Sequence, residues 1–366
     1  MVKKFNRVLI ISLQGIGDLL MVTPLVKSLR GSLPKAYIAV LTFDTNAQIL
    51  KNNPQIDKII SVKRRTLLEL IKLFCIIKKE RFDAAILTYP SGIRSAMMAY
   101  LSGIPDRFAH NLSIYKKWRF LFTRTIDLKY VKHAVLLNLD FVKLFNIEAK
   151  KIDNDMVLNL SDEDKKEAQK KYRKYNLAHK INIIVHVGGG KYARLYRSWP
   201  LENYAQLCDG LAKIDQVRII FVGGKEDKIF TDKVVSLMSY PAVNLVGCLS
   251  LPLTSAVIKK SKIFIGNNSA PMHIAAALKI PTVTIFGCVD KRLHHPWGNE
   301  YVILQKKMNC CPCYYPFITD TLKETAERNG WINKKFMCIK ANFECFNQIG
   351  TEDFLQAIKK KINYVK

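Results

Sequence analysis

Val8-Leu9-Ile10-Ile11-Ser12-Leu13-Gln14-Gly15-Ile16-Gly17-Asp18 reads as a buried strand that runs through a glycine-bearing turn into the start of a helix. The apolar run is short and β-branched, well below the roughly 20 apolar residues that a membrane-spanning helix needs. Glycine at 15 and 17 permits a tight turn and a close approach of backbone to a ligand at a helix N-terminus. Basic residues before the run give the start a superficial likeness to a signal peptide. Gln14 to Asp18, however, stands where a small-residue cleavage site belongs. The segment is expected to be the first core strand of a cytoplasmic protein.

Outward from this stretch the same grammar continues. Asp18 to Arg30 is expected to be one helix, ended by Gly31 and Pro34. Tyr37 to Thr42 follows as a strand, and Ala84 to Leu87 as another after a long helix. A charged helix from Asp162 to Tyr175, capped by Ser161 or Asp162, connects to a second round of the pattern. There Asn182 to Val187, Val217 to Val222, Ile263 to Ile265 and Val283 to Phe286 read as strands, and Pro200 to Ile214 and Pro271 to Leu278 as helices. Strand–helix alternation implies parallel sheets covered on both faces. The expected fold is α/β, with two doubly wound lobes over residues 1–160 and 161–350. An amphipathic helix lies within 351–366, from Thr351 to Tyr364. Two such lobes place a ligand in the cleft between them, at the carboxyl ends of the strands.

The bulk properties agree. A chain of 366 residues with 49% hydrophobic residues is long and apolar enough for two cores, which excludes intrinsic disorder. A net charge of +28 calls for an anionic partner, whether nucleic acid, anionic lipid or phosphorylated sugar. The basic residues are dispersed and match no nucleic-acid-binding module, so no specific nucleic acid is expected. Nine cysteines, an odd number, argue against a disulfide scaffold in such a chain. Cys310 and Cys313 have zinc-knuckle spacing, and Cys338 and Cys345 could complete four thiolates around a structural zinc; thiols without metal are the ordinary alternative.

Three stretches can carry chemistry. Gly17-Asp18 opens the first helix, where the carboxylate either acts on a ligand or simply favours the positive helix end. The same turn partly matches a dinucleotide fingerprint, with Asp44 as a ribose acid, but Leu20 stands where the third glycine belongs. His186-Val187-Gly188-Gly189-Gly190 precedes the basic run Lys191 to Arg197; consecutive glycine N–H groups can converge on phosphate oxygens and arginine adds a bidentate fork. Arg197-Ser198-Trp199-Pro200 then opens a helix, with Ser198 or Trp199 near the cap and Pro200 in the first turn. Asn268-Ser269-Ala270-Pro271-Met272-His273 begins another helix, whose free N–H groups suit a phosphate or sugar hydroxyls; an ordinary side-chain cap is the alternative.

These stretches, together with Gly223-Gly224-Lys225-Glu226-Asp227, Pro281 to Gly287 and His295-Pro296-Trp297-Gly298, resemble in their order the glycosyltransferase family 9 enzymes, the ADP-heptose:lipopolysaccharide heptosyltransferases and their relatives. The resemblance covers nearly the whole chain. It implies a GT-B architecture, two Rossmann-like lobes with the acceptor in the N-terminal one and the nucleotide-diphosphate sugar in the other. It also implies an inverting transfer that requires no metal or other cofactor. Asp18 falls on the family's general base, Arg197 where a lysine usually neutralises the donor phosphates, and Glu226 on an acidic residue beside the nucleoside. Gly17, Gly188, Gly189, Gly190, Asn268, Ser269, Ala270 and His273 complete the implied donor-binding set. Two departures stand out: Asn268 replaces an aspartate that contacts the donor sugar, and Ala270 replaces a glycine.

The implied partners are a nucleotide-diphosphate sugar, ADP-heptose or another, and a lipid-linked saccharide acceptor. The basic, aromatic stretches Lys63 to Arg81 and Tyr115 to Phe122 add an expectation of peripheral attachment to the anionic inner membrane. The rival readings are a basic nucleic-acid-binding protein, which would bind random DNA in a salt-dependent way, and a nucleotide-dependent oxidoreductase, which would bind a nicotinamide cofactor.

Overall fold

The computed structural model describes residues 5–63, 66–89, 91–128, 130–145, 147, 152–188, 199–287, 289–310 and 343–364. The chain divides into two compact units, with the boundary between Asn159 and Leu160. The first contains strands β1 (Arg7–Ile11), β2 (Tyr37–Phe43), β3 (Lys58–Val62), β4 (Ala84–Leu87), β5 (Asp106–Asn111) and β6 (Arg124–Asp127) in the order β3-β2-β1-β4-β5-β6. The second contains β7 (Ile181–His186), β8 (Val217–Phe221), β9 (Val243–Asn244), β10 (Ile263–Asn267), β11 (Thr282–Ile285) and β12 (Tyr301–Leu304) in the order β12-β11-β10-β7-β8-β9. Every strand pair is parallel. Counted from its own first strand, each sheet runs 3-2-1-4-5-6, the doubly wound Rossmann order.

The central strands explain themselves. Val8, Leu9, Ile10 and Ile11 are wholly buried, as are Ile183, Ile184 and Val185. A parallel strand covered by helices on both faces needs such an unbroken apolar run, whereas alternation would leave polar side chains facing a helix. Each fully buried aliphatic side chain contributes about 1.5–3 kcal/mol relative to exposure.

Three details depart from the reading of the sequence. The expected helix from Asp18 to Arg30 is two helices, Ile16–Leu20 and Thr23–Ser32. Pro24 has no N–H to offer the Leu20 carbonyl, and the Thr23 hydroxyl takes that carbonyl instead at 2.7 Å. Gly31 lies inside the second helix rather than ending it. Pro200 is itself the cap of helix Leu201–Ala212 (φ −51°, ψ 139°). Trp199 before it is fully buried between Tyr204 and Phe354, each ring centroid 5.1 Å away, and its indole N–H donates to the Ile349 carbonyl at 2.9 Å. The helix Thr351–Tyr364 thus sends Phe354 and Ile358 into the core of the second unit. The connector helix Asp162–Lys174 is capped by Ser161, whose hydroxyl accepts the Asp164 N–H at 3.0 Å. Its Tyr172 hydroxyl donates to the Val257 carbonyl at 3.1 Å, which ties it to the second unit.

Candidate active site

In a doubly wound sheet the connections leave in opposite directions on either side of one strand pair, and the loops there open a crevice at the carboxyl ends. In the first unit that pair is β1 and β4. Gly15, Ile16, Gly17 and Asp18 follow β1 after Ser12, Leu13 and Gln14. Asp18 sits in the first turn of its helix, half-buried, and its Oδ2 accepts the Gly15 N–H at 3.1 Å. The Asn46 amide holds the same turn by donating to the Gln14 carbonyl at 2.7 Å. Gly17 is buried beneath the turn. The carboxylate therefore braces a helix start beyond the carboxyl end of β1.

In the second unit the reversing pair is β7 and β10, which bring His186 opposite Gly266. Asn268, Ser269 and Ala270 follow β10, all half-buried, with Ala270 the first residue of helix Ala270–Ala277. Ser269 occupies the cap position in extended conformation, yet its hydroxyl makes no cap hydrogen bond. It is turned instead onto His186, with Oγ 3.0 Å from Nδ1. The other ring nitrogen, Nε2, lies 3.3 Å from Oδ2 of Asp227. That same oxygen accepts the Gly224 N–H at 2.8 Å. His186 and Asp227 are both buried.

Glycine at 188 has a local reason. A Cβ there would come within 1.7 Å of Oδ1 of Asp227, so only glycine lets the carboxylate pack against the backbone after β7. Glu226 is exposed and folds its carboxylate back over Gly224. His273 is buried in the helix after Ser269, and its Nδ1 has no hydrogen-bond partner among the described residues. Burial, and then the neighbouring His294 and His295, push its pKa down to about 3. His295 stacks on Trp297 and Tyr301, and Gly298 turns the chain with φ +75°. The His295-Pro296-Trp297-Gly298 stretch is thus a packed corner beside His273.

Gly189, Gly190, Arg197 and Ser198 lie outside the described residues, as do Cys313 and Cys338. Cys310 and Cys345 are half-buried, and no group of three metal-ligating side chains occurs among the described residues. His186 and Asp227 were not singled out as site residues in the sequence. The available signal was a histidine ending an otherwise apolar strand and an aspartate placed just after a glycine pair.

Two six-stranded Rossmann-like sheets, each with polar loops at its reversal point, are the lobes of a GT-B architecture. The family described as "Glycosyltransferase family 9 (heptosyltransferase)" matches residues 70–317. This chain belongs to glycosyltransferase family 9. It is 22% identical over 297 residues to lipopolysaccharide heptosyltransferase 3 of Escherichia coli, covering 78% of this chain and 85% of that one. Among solved structures it is similar to the glycosyl transferase family 9 protein of Veillonella parvula (TM-score 0.78, 19% identity, 100% and 99% covered). It is also similar to the ADP-heptose LPS heptosyltransferase II of E. coli (TM-score 0.74, 18% identity, 98% and 99% covered).

Proposed function

We propose that the chain transfers a sugar from a nucleotide-diphosphate donor to a lipopolysaccharide-core or other surface-glycan acceptor, inverting the anomeric centre without a metal. The observation that carries this reading is the placement of Asp18 and of Asn268-Ser269-Ala270 at the reversal points of the two sheets. Asp18 is the general base that takes the proton of the acceptor hydroxyl. As the acceptor oxygen bonds to the anomeric carbon, the bond to the diphosphate breaks and charge gathers on the leaving group. Arg197 and the N–H groups of Gly188, Gly189 and Gly190 are assigned to that charge, Glu226 to the nucleoside, and Asn268, Ser269, Ala270 and His273 to the sugar end.

Asn268 makes donor choice a sharp test. A carboxylate only accepts hydrogen bonds, whereas a carboxamide both donates and accepts, so a different hydroxyl pattern is matched. A hexose or N-acetylhexosamine donor is expected to outcompete ADP-heptose when kcat/KM values are compared at equal concentrations. The true donor at about 100 times its Kd should also raise stability by about 2.7 kcal/mol in a thermal-shift screen. A tenfold advantage for ADP-heptose, about 1.4 kcal/mol, would make the enzyme a heptosyltransferase with a tolerated Asn268. Turnover of no nucleotide sugar would overturn the reading.

An anionic membrane surface is the partner we assign to the first unit. No helix among the described residues is long and apolar enough to cross a membrane. Tyr115, Leu121 and Phe122 are core residues, contrary to a fully exposed aromatic stretch, and the Tyr115 hydroxyl donates to the Ser91 carbonyl at 2.6 Å. Phe120, Tyr100, Leu101 and Met97 remain exposed; Tyr100 and Phe120 are in edge contact at 5.8 Å, and Lys116, Lys117 and Arg119 flank them in solvent. Exposed apolar side chains with exposed cations next to Phe120 in the chain match an anionic headgroup layer, each cation contributing about 1 kcal/mol there. The protein is expected to sediment with phosphatidylglycerol vesicles at low salt and to do so less when Phe120 and Leu101 are changed to serine. Equal binding to neutral vesicles would rule this out.

A further inference from the structure

The ends of three adjacent strands carry Ser269, His186 and Asp227, after β10, at the end of β7 and after β8. Their hydrogen bonds form one line: the Asp227 carboxylate to Nε2 of His186, and Nδ1 of His186 to the Ser269 hydroxyl. Proton positions along this line follow from chemistry. A carboxylate can only accept, and Oδ2 of Asp227 already accepts the Gly224 N–H. Nε2 must therefore carry the ring proton, which leaves Nδ1 with a lone pair. That lone pair, 3.0 Å from the Ser269 oxygen, accepts the O–H in preference to the hydroxyl's other acceptor, the Asn267 carbonyl at 3.3 Å. Gly188 and Gly223 clear the space for the carboxylate, since a Cβ at either would approach it within 1.7 and 2.8 Å.

We propose that His186, oriented by Asp227, is a positioning residue that commits the Ser269 proton inward, so that Ser269 presents only oxygen lone pairs to the donor. This rests on the nucleotide-sugar reading above and sharpens it. A hydroxyl that has given its proton to His186 repels a phosphate oxygen and attracts a hydroxyl. Ser269 consequently recognises an O–H of the transferred sugar rather than a phosphate oxygen. The same order of residues activates a nucleophile in serine hydrolases. Here it selects the polarity of a binding contact. The ordinary duty of a cap serine, accepting an N–H of the first helical turn, has been given up for it.

The imidazole tautomer tests the proposal without any ligand. In the 15N-labelled full chain, long-range 1H–15N correlation should show His186 protonated at Nε2 and not at Nδ1, the signal being assigned by its loss in His186→Gln. A proton on Nδ1, alone or in a doubly protonated ring, overturns the proposal. Titration with ADP and ADP-heptose supplies the second readout. Ser269→Ala should weaken ADP-heptose about fivefold to tenfold, the loss of one hydrogen bond, and change ADP by less than about twofold. His186→Gln, which keeps a donor toward Asp227 but removes the acceptor at Nδ1, should behave like Ser269→Ala. His186→Asn, whose amide oxygen falls near the Nδ1 position, should restore most of the affinity. Equal losses for ADP and ADP-heptose, or labelling of Ser269 by a fluorophosphonate, would refute the assigned polarity. A wild-type protein that binds neither compound would exclude an adenine-nucleotide donor, and the tautomer would then decide the relay by itself.

Discussion

Asp18→Asn is expected to cut glycosyl transfer by about 10² to 10⁴-fold while leaving nucleotide-sugar affinity nearly unchanged. The substitution keeps shape and removes basicity. The amide oxygen can still accept the Gly15 N–H that Oδ2 of Asp18 accepts at 3.1 Å, so the turn after β1 survives. The lost negative charge near the helix N-terminus costs about 0.3–1 kcal/mol of stability, too little to unfold a unit built on wholly buried strands. What disappears is a group able to take the acceptor's proton as its oxygen bonds to the anomeric carbon. A rate loss of about 10³ corresponds to about 4 kcal/mol of transition-state stabilisation. Steady-state kinetics with a separate measurement of donor Kd would check it. Turnover within a few-fold of wild type would remove Asp18 from the role of base.

Acidification should destabilise both units through one buried histidine in each. His110 ends the buried part of β5, edge-on to Phe141 at 4.6 Å and to Tyr89 at 6.0 Å, and burial lowers its pKa to about 4 against the opposing pull of Asp140. His273 in the second unit is lowered to about 3, again chiefly by burial. An unfolded chain protonates these imidazoles near pH 6.5, whereas the folded protein does so only at the depressed values. Below pH 6.5 the unfolded state holds more protons, so stability is full above that value and falls with pH. The slope approaches about 1.4 kcal/mol per pH unit for each histidine. The loss continues until pH passes the folded values, near 4 for His110 and near 3 for His273. Between pH 7 and pH 5 each unit should lose about 2 kcal/mol, a large share of the 5–15 kcal/mol typical of a domain. Urea unfolding of wild type, His110→Asn and His273→Asn at several pH values would test this. Each variant is less stable at pH 7 but should show a flatter pH dependence in its own unit. Unchanged slopes in both would refute it.

The fold was legible where burial is two-sided. β1, β4 and β7 each hold an unbroken apolar run, and the loops after β1 and β7 contain glycine, so strand and turn could be read in order. Edge strands escaped. β6, Arg124–Asp127, is half-exposed with charged ends, and β9 is two residues long, so neither carries an apolar run that a sequence pattern could detect. The break between Leu20 and Thr23 was hidden as well, because helical periodicity continues across it while Pro24 interrupts only the backbone hydrogen bonds. The aromatic stretch from Tyr115 to Phe122 mixes core and surface residues inside a 3-10 segment, whose three-residue turn the helical and strand periods both misassign.

The candidate site divides along the same line. The amino-acid sequence by itself determined the α/β class, the two rounds of strand and helix, the family, and the positions of Asp18 and of Asn268 to His273, because these rest on local periodicity and short contiguous motifs. Only the tertiary structure decided that His186 faces Ser269 and Asp227, partners 83 and 41 residues away in the chain. It also decided that Trp199 belongs to the core and that Gly188 is glycine to admit a carboxylate. The physical reason is the strand order. Placing β7 between β10 and β8 brings together three loops that no spacing in the sequence relates. Burial then forces their polar groups to satisfy one another, which decides where the proton on Ser269 points.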